Sequence, residues 1–205
     1  MPTVLLIRHA ENDYVRTGRL AGRLPGVHLN ENGRSQAQAL VEKLSGAPVK
    51  AIYSSPLERA LETARPLAEA LHLPVIPRDA LLETDYGEWQ GRKLIGLYRR
   101  KLWRVVQNAP SRARFPQGES FAEAQSRICQ EIETLCGLHK PKDLFVCVSH
   151  ADPIKLAAAY YLGMPLDLFQ RISISPASIT ALHLGVSGSR LLTLNYDPSF
   201  AFKKS

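Results

Sequence analysis

Val4-Leu5-Leu6-Ile7-Arg8-His9-Ala10-Glu11-Asn12 is a run of four β-favouring apolar residues that ends abruptly in an arginine and a histidine. Four such residues are too few for a helix and fit a strand buried on both faces. In open α/β sheets the ligand crevice lies beyond the carboxyl ends of the strands, so this strand delivers a cation and a nitrogen nucleophile where a ligand is expected. Leu144-Phe145-Val146-Cys147-Val148 repeats the design by running into Ser149-His150. Ala51-Ile52-Tyr53 leads to Ser54-Ser55, and Val75-Ile76 is a short further strand. Helices are expected from the N-cap Asn30 to Leu44, stopped by Gly46 and Pro48, and from Leu57 to Leu71, with Ser55 as cap and Pro56 in the first turn. Two more run from Gly118 or Ser120 to about Leu138 and from Pro153 to Leu162, and strands over 172–174, 179–184 and 191–194 finish the chain. Residues 10–30 read as a long loop beside the site. The alternation of strands and helices predicts the α/β class with a mostly parallel central sheet.

The chain of 205 residues fits a single domain over 1–205, and its hydrophobic 45% and charged 22% are those of an ordinary globular protein. It contains neither a run of about 20 apolar residues nor a basic region preceding a short apolar one. No membrane span or signal peptide is expected, and the protein is read as cytoplasmic. Cys129, Cys136 and Cys147 are expected as buried free thiols, because a zinc site needs more ligands at tighter spacing. The net charge of +7 asks for an anionic partner, a phosphorylated small molecule or nucleic acid. The excess concentrates in Arg92-Lys93, Arg99-Arg100-Lys101, Arg104, Arg112 and Arg114, which a solvated helix face explains equally well. Here the alternation breaks. Glu83 to Gly91 is polar and glycine-punctuated, Leu94 to Val106 is a basic amphipathic helix, and Pro110 to Gly118 is loop. Residues 84–118 are therefore expected to form an insertion that caps the crevice.

Collected at strand ends are Arg8, His9, Ser54, Ser55, the nearby Arg59 and His150. Two arginines and two histidines without metal-ligand spacing make an anion site, since the planar guanidinium fork matches phosphate oxygens and helix N-termini add N–H donors. A neutral imidazole held beside a phosphate is also a nucleophile able to form a covalent intermediate. Surrounding positive charge keeps it neutral.

Arg8-His9-Ala10-Glu11, Ser54-Ser55-Pro56-Leu57-Glu58-Arg59-Ala60-Leu61-Glu62-Thr63-Ala64, Glu83 through Gly91, and Ser149-His150 together resemble the histidine phosphatase superfamily, the phosphoglycerate-mutase-like family. The four ordered blocks cover most of the chain. The resemblance implies a three-layer α/β/α sandwich and metal-independent phosphoryl transfer through a phosphohistidine, with no metal or organic cofactor. It implies His9 as nucleophile, Arg8 and Arg59 as phosphate clamps, His150 as hydrogen-bonding partner of the transferring group, and Glu83 as general acid and base, its pKa raised beside a phosphate dianion. Asn12 stands where a polar residue in the family reaches phosphate, and Arg23, Ser55 and Ser149 are weaker phosphate-side candidates. Ala10 replaces a glycine common after the nucleophile, a change only a backbone of positive φ would reject. Ala151-Asp152 replaces the frequent pair of glycines after the second histidine. Glu88 competes with Glu83. Tyr86, Trp89 and Trp103 line a pocket or pack a core. His28, His72, His139 and His183 are read as structural or solvent-facing.

Three functions follow: hydrolysis of a small phosphorylated metabolite, a phosphoglycerate-type mutase sharing the same intermediate, or a non-catalytic basic binding protein. The short basic insertion favours hydrolysis, and its cations are expected to recognise a second phosphate or carboxylate. No nucleic-acid module is present in the sequence, and no motif specifies an oligomeric state.

Overall fold

The computed structural model describes residues 2–185 and 188–197. Six strands, β1 (Thr3–Arg8), β2 (Val49–Ser54), β3 (Val75–Pro77), β4 (Leu144–Ser149), β5 (Ile179–Gly185) and β6 (Gly188–Tyr196), form one sheet in the order β3-β2-β4-β1-β5-β6. The first four are mutually parallel, while β5 and β6 add an antiparallel edge. Helices α1 (Asp13–Arg16), α2 (Glu31–Leu44), α3 (Glu58–Leu71), α4 (Leu94–Leu97), α5 (Lys101–Asn108), α6 (Phe121–Gly137) and α7 (Ala151–Tyr161) connect them.

The period of two along a strand explains the layers. Leu5 and Ile7 of β1, with Val146 and Val148 of β4, bury against Leu40 of α2 and Ala64 and Leu67 of α3. Val4, Leu6, Phe145 and Cys147 point the other way, into a core with Ile128 and Ile132 of α6 and Ile154 and Ala158 of α7. A three-layer α/β/α sandwich results, and the central strands are apolar on both faces for this reason. All three cysteines are free and buried. Among the described residues no helix is long and apolar enough to cross a membrane.

Local expectations fail where tertiary contacts compete. Ser55 does not cap α3: the N-cap is Leu57 with no side-chain bond and Pro56 precedes the first turn, while the Ser55 hydroxyl meets the His150 ring at 2.8 Å and accepts only a long 3.4 Å bond from the Leu57 N–H. The helix expected over 94–106 is interrupted at 98–100. Leu94 and Trp103 are nine residues apart and would lie on opposite sides of a straight helix at about 100° per residue; the break lets both face one cavity. The loop 10–30 contains α1, capped by Asn12 through a 2.9 Å bond from the Val15 N–H. Residues 172–174 are not a strand; Ile172 and Ile174 pack into the core, and the Ile174 carbonyl accepts from Arg8 at 2.6 Å. At Gly87, φ 50°, an added Cβ would lie 2.0 Å from the Pro116 carbonyl oxygen, so only glycine lets the two segments approach this closely.

Candidate active site

Three parallel strand ends converge by register. Arg8 lies opposite Ser149 across β1 and β4, the His9 N–H donates to the Ser149 carbonyl at 2.9 Å, and the Ser55 N–H donates to the Val148 carbonyl at 2.9 Å. The chain leaves β1 through Ala10, fully buried, whose N–H donates to the Thr63 hydroxyl of α3 at 2.9 Å. Ala10 is not among the residues of positive φ, so alanine costs nothing there. Thr63 in turn donates to the Arg59 carbonyl at 2.6 Å, tying the β1 turn to the helix that carries Arg59.

These elements wall a cavity of about 300 Å³ lined at its base by Arg8, His9, Asn12, Arg59 and Glu83. The ring centroids of His9 and His150 are 5.1 Å apart at an interplanar angle of 61°. Arg59 is only 1% exposed; its Nη2 donates to the Gly22 carbonyl at 2.6 Å and lies 3.3 Å from His150 Nδ1. Arg8 is held at one end by Ile174. The Arg8 Nε, Arg59 Nε and Nη1, and Asn12 Nδ2 atoms are buried and have no protein acceptor. Buried donors are paired in folded proteins unless something else is meant to pair them. Four such donors from cations and an amide define an anion cradle.

The protons on the two histidines follow from their partners. His9 Nδ1 is 2.7 Å from the Ala10 carbonyl, which only accepts, so Nδ1 carries the hydrogen and Nε2 has the lone pair. His150 Nδ1 faces a guanidinium, which only donates, so this nitrogen accepts and Nε2–H donates to the Ser55 hydroxyl at 2.8 Å. Burial, then the charges of Arg59 and Arg8, hold His9 well below the usual imidazole range. His150 is lowered likewise, by burial first and then by Arg59. Glu83 moves the other way. Burial, and the nearby Asp152, push its carboxyl up to about 7, against the Thr84 N–H bond at 2.9 Å and the two arginines.

Of the remaining candidates, Asn12 lines the cavity, whereas Arg23, Ser55 and Ser149 do not. Arg23 turns to acids, with Nη2 2.8 Å from Glu119, and its Nε donates to the Glu83 carbonyl at 2.8 Å; it fixes the backbone of Glu83 rather than touching a ligand. Ser149 donates to the Leu81 carbonyl at 2.8 Å. Ser55 touches His150 only from behind. Glu88 is exposed and outside the cavity. The sequence reading missed Arg127, which holds the carbonyls of Ala80 and Leu82 at 2.8 and 2.9 Å and pairs with Glu119 at 2.9 Å, stiffening the approach to Glu83. Tyr86, read as pocket or core, lines the cavity, but its partners Asp152 and Lys155 were missed as site residues: the tyrosine hydroxyl donates to Asp152 at 2.8 Å and Lys155 pairs with the same carboxylate at 3.3 Å. The one available signal was an acid two residues after His150. Among the described residues no cluster of three or more His, Cys, Asp or Glu side chains is arranged to hold a metal ion.

A sheet of this order with an anion cradle at its parallel strand ends is that of a phosphoryl-handling α/β enzyme. The chain belongs to the histidine phosphatase superfamily (branch 1), whose family model it matches over residues 4–197. It is 33% identical over 198 residues to phosphoserine phosphatase 1 of Hydrogenobacter thermophilus, covering 95% of this chain and 92% of that one. It is 30% identical, with the same coverage, to the 2,3-bisphosphoglycerate-dependent phosphoglycerate mutase of Thermoplasma acidophilum. Among solved structures, the phosphoserine phosphatase of Entamoeba histolytica in complex with 3-phosphoglyceric acid superposes with a TM-score of 0.88 at 26% identity, covering 97% of this chain and 98% of that one.

Proposed function

We propose that the protein is a metal-independent phosphomonoesterase that hydrolyses a small phosphorylated metabolite through a phosphohistidine at His9. The observation that carries this reading is the set of buried donors without acceptors around an imidazole whose Nδ1–H is committed to a carbonyl. His9 Nε2 attacks phosphorus in line, the bond from phosphorus to the ester oxygen breaks with its electron pair on that oxygen, and the Glu83 carboxyl supplies the proton. Arg8, Arg59 and Asn12 donate to the phosphoryl oxygens over which the transition-state charge spreads. A dianion beside His150 raises its proton affinity; once protonated, Nδ1 donates to a phosphoryl oxygen while Nε2–H stays on Ser55. Water then attacks phosphorus as the Glu83 carboxylate takes its proton, the N–P bond breaks back onto Nε2, and inorganic phosphate leaves. A carboxyl near 7 serves both halves of this cycle at neutral pH.

We read residues 1–205 as one catalytic domain, with 84–118 acting as the cap over its crevice. The cavity size and the names of the relatives support a small monoester as substrate. Three free buried thiols fit a reducing compartment, and we assign the enzyme to the cytoplasm. The mutase alternative rests on the Thermoplasma relative. Purified protein incubated with a generic aryl phosphate, with and without chelator, is expected to release phosphate steadily in both; isomerisation of phosphoglycerate that requires a bisphosphate primer overturns hydrolysis in favour of the mutase. Phosphate release by His9→Ala protein removes the proposed nucleophile.

A further inference from the structure

Resting on the phosphatase reading, we infer that the alcohol half of the substrate is apolar and uncharged, a hydrocarbon or aromatic group rather than an amino acid, hydroxy acid or second phosphate. The cations of the 92–114 region do not line the cavity; they are exposed, some engaged elsewhere, as Arg92 with the Glu88 carbonyl at 2.8 Å and Arg114 with Glu123. What that region turns inward is Leu94, Trp103 and Val106, with Gln107 its single polar contribution and an uncharged one. Opposite them stand Leu20, Trp89 and Phe115, with Trp89 stacked on Trp103 at 6.1 Å and edge-on to Phe115 at 5.3 Å.

A second anion would find no buried, unpaired cation in this outer half. Lys155 is already bound to Asp152 at 3.3 Å and to Gln170 at 3.1 Å. Arg19 is exposed at the mouth, with Nε and Nη2 both on the Gly91 carbonyl. Burying a carboxylate without a partner costs far more than an exposed cation returns. The Asp152 carboxylate also lines this space and disfavours a second anion. The buried unpaired cationic donors lining the cavity, on Arg8 and Arg59, belong to the base, where the phosphoryl group sits, so the rest of the ester meets a wall that is mostly aromatic and aliphatic.

The test compares two alkyl esters of primary alcohols with similar intrinsic reactivity, 2-phenylethyl phosphate and O-phosphoserine. Wild-type kcat/KM is expected to favour the former by roughly 30-fold or more, within the range a hydrophobic pocket delivers. Trp103→Ala is expected to cut that ratio about tenfold, while Trp103→Phe keeps it within about threefold. Loss of folded protein lowers both rates together and leaves the ratio unchanged. A wild-type ratio at or below one, or a ratio unmoved by Trp103→Ala, overturns the inference. Calorimetric binding of both esters to His9→Ala protein separates the two levels. Tighter binding of 2-phenylethyl phosphate supports the apolar pocket even if the wild type turns over neither ester, in which case only the phosphatase reading falls. Equal or tighter binding of phosphoserine sinks the apolar pocket whatever the turnover.

Discussion

The ends of β1 and β4 are adjacent, in register and alike in sequence, each passing from apolar strand directly into a histidine, yet they deliver different chemistry. At β1 the acceptor is a backbone carbonyl, which leaves Nε2 of His9 bare. At β4 a guanidinium on one side and a serine hydroxyl on the other occupy both nitrogens of His150. A bare lone pair is a nucleophile; a ring engaged at both nitrogens is a hydrogen-bonding group. The sheet supplies position, and the partners behind each ring decide where its proton sits.

The sharpest break of this comparison is His9→Ala, expected to lower kcat by about 10⁴ or more and to abolish phospho-labelling, with the circular dichroism spectrum unchanged. Labelling that persists, or that moves to His150, ends the asymmetry. Glu83→Gln is expected to cost about 10³ with alkyl esters and less with activated aryl esters, whose leaving groups need no proton; equal losses for both overturn its role as acid. The wild-type rate should be bell-shaped around pH 7, because phosphorylation loses its acid above Glu83's pKa of about 7 and dephosphorylation loses its base below it. The same group affects stability. The folded state keeps this proton up to about 7 while the unfolded chain releases it near 4.5, so the folded state binds more protons within that window and stability falls as pH rises through it. Urea unfolding should find Glu83→Gln more stable than wild type at pH 8, by at most about 3 kcal/mol at ~1.36 kcal/mol per unit, and no such difference at pH 4.

His150→Ala is expected to lower kcat by about 10² while leaving His9 able to be labelled, since it removes a phosphoryl partner and not the nucleophile. Ser55→Ala is the finest probe. Losing one hydrogen bond behind His150 should cost about three- to tenfold in kcat, with KM little changed and the basic limb of the pH profile displaced to lower pH, because the protonated ring loses an acceptor. Ser55→Thr, which keeps the hydroxyl, should restore most of it. A Ser55→Ala enzyme with unaltered kcat and pH profile would reduce Ser55 to packing.

Much of this was legible because it is local. The apolar runs 4–7 and 144–148 are buried, and the sequence puts Arg8, His9 and His150 at the ends of these strands; Arg8 and His9 line the cavity, while His150 is fully buried against His9 with ring centroids 5.1 Å apart. Arg59 is the second residue of the helix that follows the next parallel strand, which fixes its reach. What was not legible depends on contacts across long stretches of chain. Ser55, Ser149 and Arg23 sit beside the site in sequence but direct their polar atoms to His150, Leu81, Glu119 and Glu83, and serine or arginine composition carries no sign of that choice. The basic segment read as a second anion site because its charges are local, while the break at 98–100 that turns its aromatic side inward is set by packing against Trp89.

The outward cations of 92–114 retain a consequence although they line no part of the cavity. Exposed on the segment whose other side chains wall the cavity, they create a long-range field that draws dianions towards this part of the molecule and acts before contact. Such a field shortens the search and leaves the bound state untouched. Raising ionic strength from about 0.01 to 0.15 M, which shrinks the Debye length from about 30 to 8 Å, should therefore depress capture of the ester and spare turnover at saturation.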